Sequence, residues 1–219
     1  MKRLTPAFTI VELLIVIVVV GILASFTAVG YKGLTVKARN VARVQVAKNM
    51  QKILLTADVG GVNSGTASYG RFCLSDRNPE KNPDGTPKCG EAPGPEVAVY
   101  HQGLIDALKT YTGTLPVMEK VSVWESHGVV YHGPTLEKYS GWVNEDGERE
   151  FSHVLAYWLE GSNQDCGLPN QVTFDYSESP VPEDEPGAIG VVRPSGQKYA
   201  YTDSRATYCY VPIYASGRL

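Results

Sequence analysis

Glu12 is the one acid in an apolar stretch that runs from Phe8 to Tyr31. An acid at the centre of a hydrocarbon-buried helix costs about 2.5–3.5 kcal/mol, so such a residue needs a partner and marks a functional site. The chemistry it offers is charge pairing. Four cysteines form the second reactive set. Cys73, Cys89, Cys166 and Cys209 all follow the apolar stretch, and an even count behind an export-type N-terminus reads as two disulfides. Three pairings are possible. The favoured one closes a local loop with Cys73–Cys89 and ties the last strand region back with Cys166–Cys209. Chain entropy gives the longer closure about 4 kcal/mol. A third set, Glu80, Asn82, Asp84, Gly85 and Glu91, follows the spacing of a calcium loop with Glu80 at the usual first aspartate. Pro83 and Pro87 fit that loop poorly, so a polar turn is the favoured reading and no metal is expected.

Catalytic constellations are absent from the chain. It has no HExxH, CxxC, GxSxG or phosphate loop, and it is read as a non-enzyme without a cofactor. His127 and His132 are five apart, which puts them on opposite faces of a continuous strand. Glu183-Asp184-Glu185, between Pro182 and Pro186, reads as a solvated tip.

The elements that position these residues begin with a helix. Residues 13–24 carry no polar side chain, and no proline occurs from Phe8 to Ala57. At 1.5 Å per residue, residues 8–31 extend roughly 36 Å, against the roughly 30 Å of a hydrocarbon core. A single-pass membrane span is therefore expected. Tyr31, Leu34, Ala38, Ala42, Val46, Met50, Ile53, Leu54 and Ala57 continue at helical spacing as one apolar stripe, and Gly60-Gly61 supplies the stop. Small residues four apart, Gly21 with Ser25 and Ala24 with Ala28, permit close helix approach. The competing reading is a secretory signal peptide cut near Ala28-Val29-Gly30. The length of the apolar stretch and the helical stripe beyond it argue against removal.

Charge is uneven along the chain. Residues 31–52 hold Lys32, Lys37, Arg39, Arg43, Lys48 and Lys52 and no acid, whereas the chain beyond Lys52 has 12 Lys/Arg against 22 Asp/Glu. That acidic balance offers no basic patch, and no direct nucleic-acid partner is expected. Residues 60–95 read as a long loop, and residues 96–111 as a short helix with Val97, Tyr100, Leu104, Leu108 and Tyr111 on one face. Strands are expected at 121–124 and 129–132 as a hairpin, then at 154–159, 171–176 and 188–192. A final hairpin joins 199–202 to 207–213. Many of the 13 tyrosines fall on these runs, which suits a half-buried sheet.

The N-terminus resembles the signature of the type IV pilin and type II secretion pseudopilin families. Lys2 and Arg3 match the basic leader, Ala7 stands where the family nearly always has glycine before the cut, Phe8 opens the mature chain, and Glu12 is its fifth residue. The resemblance covers about the first 30 residues. It implies an α+β pilin-like fold, a long N-terminal helix packed on an antiparallel sheet. It divides the chain into a leader (1–7), a transmembrane and polymerisation half of the helix (8–31), an amphipathic half (32–58) and a globular head (59–219).

The function implied is that of a structural subunit of a type IV pilus-like filament, held in the inner membrane before assembly with the head outside. A plain count of Lys/Arg around the span gives the opposite orientation; the cysteines and the resemblance favour the head outside. The partners implied are other copies of the chain or related pilins, membrane lipid, an assembly ATPase and a platform protein. A prepilin peptidase would cut between Ala7 and Phe8 and methylate the Phe8 amine. Glu12 of a neighbour would pair with that amine; unit charges about 4 Å apart attract by roughly 4 kcal/mol at an effective dielectric of 20, before desolvation. A major pilus subunit, a minor pilin and a secretion pseudopilin share these residues.

Overall fold

A computed structural model describes residues 9–57, 70–77, 81–91, 98–124, 129–131, 133–138, 142–143, 153–175, 190–202 and 204–213. Helix α1, Ile10–Thr56, is 47 residues long. Its interior lacks proline, which would remove a backbone donor and break the ladder. Its length overrides the lower helix propensity of the β-branched run at residues 15–20. By compactness the chain falls into two units, residues 1–39 and residues 40–219.

The second unit is built on a five-stranded sheet. Its strands are β1 (Gly70–Cys73), β5 (Thr135–Lys138), β7 (His153–Glu160), β10 (Tyr201–Thr202) and β11 (Ala206–Ile213). Their order is β1-β5-β7-β11-β10, and every neighbouring pair is antiparallel. A second sheet joins β2 (Gly90–Glu91), β4 (Val129–Tyr131) and β3 (Val121–Trp124), with a register shift between Ser122 and Trp124. The third places β6 (Trp142–Val143) parallel to β9 (Gly190–Pro194), which pairs antiparallel with β8 (Val172–Asp175). The fold is α+β.

The central pair β7–β11 runs in register from Ala206 opposite Glu160 to Ile213 opposite His153. Alternate residues Leu155, Tyr157 and Leu159 on β7, with Cys209, Val211 and Ile213 on β11, enter one core. Ala47, Met50, Leu54 and Ala57 from α1, and Leu104, Ile105 and Leu108 from helix α2 (Gln102–Thr112), enter the same core. The other faces of these strands are buried too, with Ala156, Trp158, Tyr208 and Tyr210. The expected half-buried sheet is therefore a fully buried one at its centre. Tyr157 donates its hydroxyl to the Cys166 carbonyl at 2.8 Å, and burial pushes its phenol pKa up.

Several expectations are corrected. Among the described residues no helix is long and apolar enough to cross a membrane, against the expected single-pass inner-membrane placement. The apolar side chains described, residues 10–23, extend only about 21 Å at 1.5 Å per residue, short of a roughly 30 Å hydrocarbon core. The side chains of residues 24–32 lie outside the described set.

The second half of the apolar stripe, Val46, Met50, Ile53, Leu54 and Ala57, packs on the core as expected, but its first half is displaced. Leu34, Ala38 and Ala42 are exposed, and the buried face begins with two polar residues, Asn40 and Arg43. Helix α2 starts at Gln102, six residues later than expected, because Val99 exchanges backbone bonds with β1: its N–H donates to Arg71 and its carbonyl accepts from Cys73. Part of the expected 60–95 loop is strand instead, since β1 pairs with β5 and β2 with β4. His101 then caps α2, its Nδ1 accepting from the Leu104 N–H at 3.2 Å.

Both disulfides join the favoured pairs, with Cα–Cα distances of 5.5 Å for Cys73–Cys89 and 5.8 Å for Cys166–Cys209. Cys209 and Cys166 sit in the main core, whereas Cys73 and Cys89 share a small cluster with Ala98. Loop entropy alone favours the longer closure by about 1 kcal/mol, and the core position adds a packing loss. Cys209→Ser is expected to lower the urea midpoint more than Cys73→Ser. Equal losses in parallel urea titrations would refute that ranking.

Candidate assembly surface

Helix α1 opens with a reciprocal cap. The Thr9 Oγ1 accepts from the Glu12 N–H at 3.2 Å, while Glu12 Oε2 accepts from the Thr9 N–H at 2.9 Å and the Thr9 hydroxyl at 2.8 Å. This is a capping box, in which two otherwise orphaned backbone donors are satisfied at once. The backbone bond from Thr9, then the hydroxyl bond, hold the Glu12 carboxyl below its usual range, so it is ionised at neutral pH. The signal for the cap is local, the Thr9-x-x-Glu12 spacing ahead of an apolar run. Oε1 has no partner among the described residues. Ala7 and Phe8, the expected cleavage and methylation residues, lie outside the described set.

Beyond the cap, residues 10–23 are exposed without exception. Twelve are large and apolar, and they range from 48% exposure at Val19 to 86% at Ile10. Only Glu12 and Gly21 interrupt them, so the helix is apolar on every side. One-sided apolarity is the mark of a helix on a core; all-round apolarity is the mark of a helix enclosed by neighbours. Complete burial of one such side chain contributes about 1.5–3 kcal/mol, so covering the segment releases on the order of 10 kcal/mol before association costs. At Gly21, a Cβ would meet nothing within 4 Å, leaving room for a close helix neighbour.

From Asn40 onward the same helix is held by a buried polar lock. The Asn40 side-chain amide bonds both backbone groups of Glu160, accepting from its N–H and donating to its carbonyl, each at 2.9 Å. Arg43 reaches the Glu160 carboxylate at 2.7 Å, the Lys120 carbonyl at 3.1 Å and Asn40 Oδ1 at 3.1 Å. The loop after β7 packs close against the same turns of the helix. Gly167 has φ +68° there, and a Cβ on it would lie 2.7 Å from Val44 Cγ1.

Of the calcium-loop candidates, those described are tied into a turn. In the 81–91 loop, Asp84 Oδ1 accepts from the Thr86 N–H at 2.9 Å and its hydroxyl at 2.6 Å, and Asn82 Nδ2 donates to Thr86. These oxygens close a turn. Among the described residues no group of three or more His, Cys, Asp or Glu is placed to hold a metal ion. Glu80, His127, His132 and the Glu183–Glu185 run lie outside the described set, as does the Glu91 side chain.

His153, which sequence reasoning passed over, is buried on β7 opposite Lys138. Burial first, and the Lys138 charge second, lower its pKa to about 4.

No family model, curated protein or solved structure matches the chain. The residues themselves carry the functional reading.

The depressed His153 pKa generates a pH dependence. The unfolded chain takes up the proton near pH 6.5 while the folded chain resists it to about pH 4. Stability contributed by the neutral ring is thus complete above about 6.5 and is lost as pH falls through that window, by roughly 3 kcal/mol at most. Urea titrations from pH 7 to pH 4 should show His153→Gln with a shallower decline than the parent; identical slopes would exclude His153 as the source.

Proposed function

We propose that this chain is a structural subunit of a type IV pilus-like filament, assembled through its N-terminal helix after cleavage between Ala7 and Phe8. The observation that carries the reading is the all-round apolarity of residues 10–23, every one of them exposed. A single helical partner covers one stripe of such a helix and leaves the rest in water. Several neighbours are needed to cover it, and a helical array of copies supplies them with one repeated contact. The basic leader, small residue, aromatic and acid at residues 2–12 stand in the register of the pilin families. Among the filament roles, a pilus subunit ranks ahead of a minor pilin or secretion pseudopilin, since Glu12 is retained and the head is large.

In this reading Glu12 has two tasks. It caps its own helix, and it offers a negative charge to the Phe8 amine of the next copy. The amine, with a reference pKa near 7.7–8.0, is cationic at neutral pH, so the pair sets axial registry. Two substitutions separate the tasks. Glu12→Gln keeps an acceptor for the Thr9 N–H but removes the charge, whereas Glu12→Ala removes both. Registry by charge predicts that both variants lose filaments in sheared fractions viewed by electron microscopy. Normal filaments from Glu12→Gln with loss only in Glu12→Ala would leave capping as the sole role.

The processing step has its own check. Mass spectrometry of the protein isolated from its native host should find a chain starting at N-methylated Phe8. A start near Tyr31 would sink the filament reading, because residues 10–23 would then be absent from the mature protein.

A further inference from the structure

Lys48 and Lys52 are exposed on α1 together with Val41, Gln45 and Leu55. At 100° per residue these five fall within about 80° of one another around the helix, along about 21 Å of its length. Ala47, Met50 and Leu54 point the other way, into the core. Val41 is 64% exposed and Leu55 47%, so the strip has an exposed apolar residue at each end and two ammonium groups between them. No acid stands anywhere on α1 after Glu12. From Asn40 onward α1 has one further base, Arg43, which is buried against Glu160 and takes no part.

The charge on the rest of the chain is opposite. Beyond Lys52 there are 12 Lys/Arg against 22 Asp/Glu, and Asp84, Asp106 and Glu119 are among the exposed acids. Within its own chain Lys48 feels Asp165. That carboxylate already accepts from Lys198 Nζ at 3.0 Å and from the Gly167 N–H at 2.8 Å. The two lysines therefore present a net positive strip on a chain whose head is net negative.

We infer that this strip is a docking surface for the acidic head of a second copy of the chain, with Lys48 and Lys52 facing its carboxylates. Val41 and Leu55 shield the pairs from water at either end. Two such strips repel each other, so the contact joins unlike surfaces. A contact of that kind does not close on a dimer and propagates into an open helical array. Complementary potential gives partner choice and register more than raw affinity. The inference rests on the filament reading and adds to it a contact distinct from residues 10–23.

The test uses the chain isolated from its native host and cleaved between Ala7 and Phe8, as an equal mixture of unlabelled and nitrogen-15-labelled copies. A zero-length carbodiimide joins amines to carboxylates, and mixed-isotope peptides show which links cross between copies. Links from Lys48 or Lys52 to an acid of another copy are expected, fading as salt rises. Lys48→Glu with Lys52→Glu should cut sedimentable material about tenfold at low salt, while the paired Lys→Arg variant retains it. Assemblies that sediment without inter-copy links at these lysines, or that are indifferent to the double reversal, overturn the docking surface and leave the filament reading standing. A parent chain that neither sediments nor cross-links between copies overturns both. Links from these lysines only to another class of molecule overturn the inference as well.

Discussion

The amide of Asn40 bonded to both backbone groups of Glu160 sets the rotation of α1 about its own axis. With Asn40 and Arg43 turned inward, Ala47, Met50, Leu54 and Ala57 follow on the same face at alternating steps of three and four. Val41, Lys48 and Lys52 are then forced outward. A buried arginine without its carboxylate and carbonyl partners would be costly, so the lock tolerates few alternatives. An apolar stripe alone could slide or roll by a fraction of a turn. Paired buried polar groups cannot, since each displaced bond leaves a desolvated donor or acceptor.

What the helix is locked against is itself rigid. Strands β7 and β11 are covered on both faces, and the Cys166–Cys209 bridge joins β11 to the loop that returns past α1. Tyr157 closes the same region by bonding the Cys166 carbonyl. Close approach of Gly167 to Val44 removes the room that a side chain would need. The second disulfide works at the periphery. Cys73–Cys89 anchors a loop whose own turn is made by Asp84, Thr86 and Asn82. Asp84 Oδ1 accepts both of its hydrogen bonds from Thr86 within that turn.

One continuous helix thus carries two kinds of surface. From Asn40 on it is one-sided, and its apolar face is already buried within the chain. Residues 10–23 are apolar all round and meet no cover within the described residues. The first arrangement suits a helix packed on its own sheet; in the second the apolar side chains stay exposed among the described residues. Glu12 stands at the start of the second region, ionised and capping its own helix.

Local order decided a good deal in advance. The long helix and its end near Ala57, the 121–131 hairpin, and strands β7, β8 and β11 were legible, because proline and glycine placement and alternation are properties of neighbouring residues; the cysteine pairing was the favoured one of three, and the structure selects it. The N-terminal cap was equally local and lay in Thr9-x-x-Glu12, unread beside the more unusual acid. Other features were beyond local reading. Strand β5 and the pairing of β1 with Val99 depend on partners distant in sequence. Burial of Tyr208 and Tyr210 depends on what covers the second face of the sheet. Asn40 and Arg43 look like solvent residues until Glu160, some 120 positions away, supplies their bonds. Sequence by itself determined the long helix and most of the longer strands, and favoured one of three cysteine pairings; tertiary structure decided that α1 turns Asn40 and Arg43 inward, since only buried polar partners can draw two such residues to the core face.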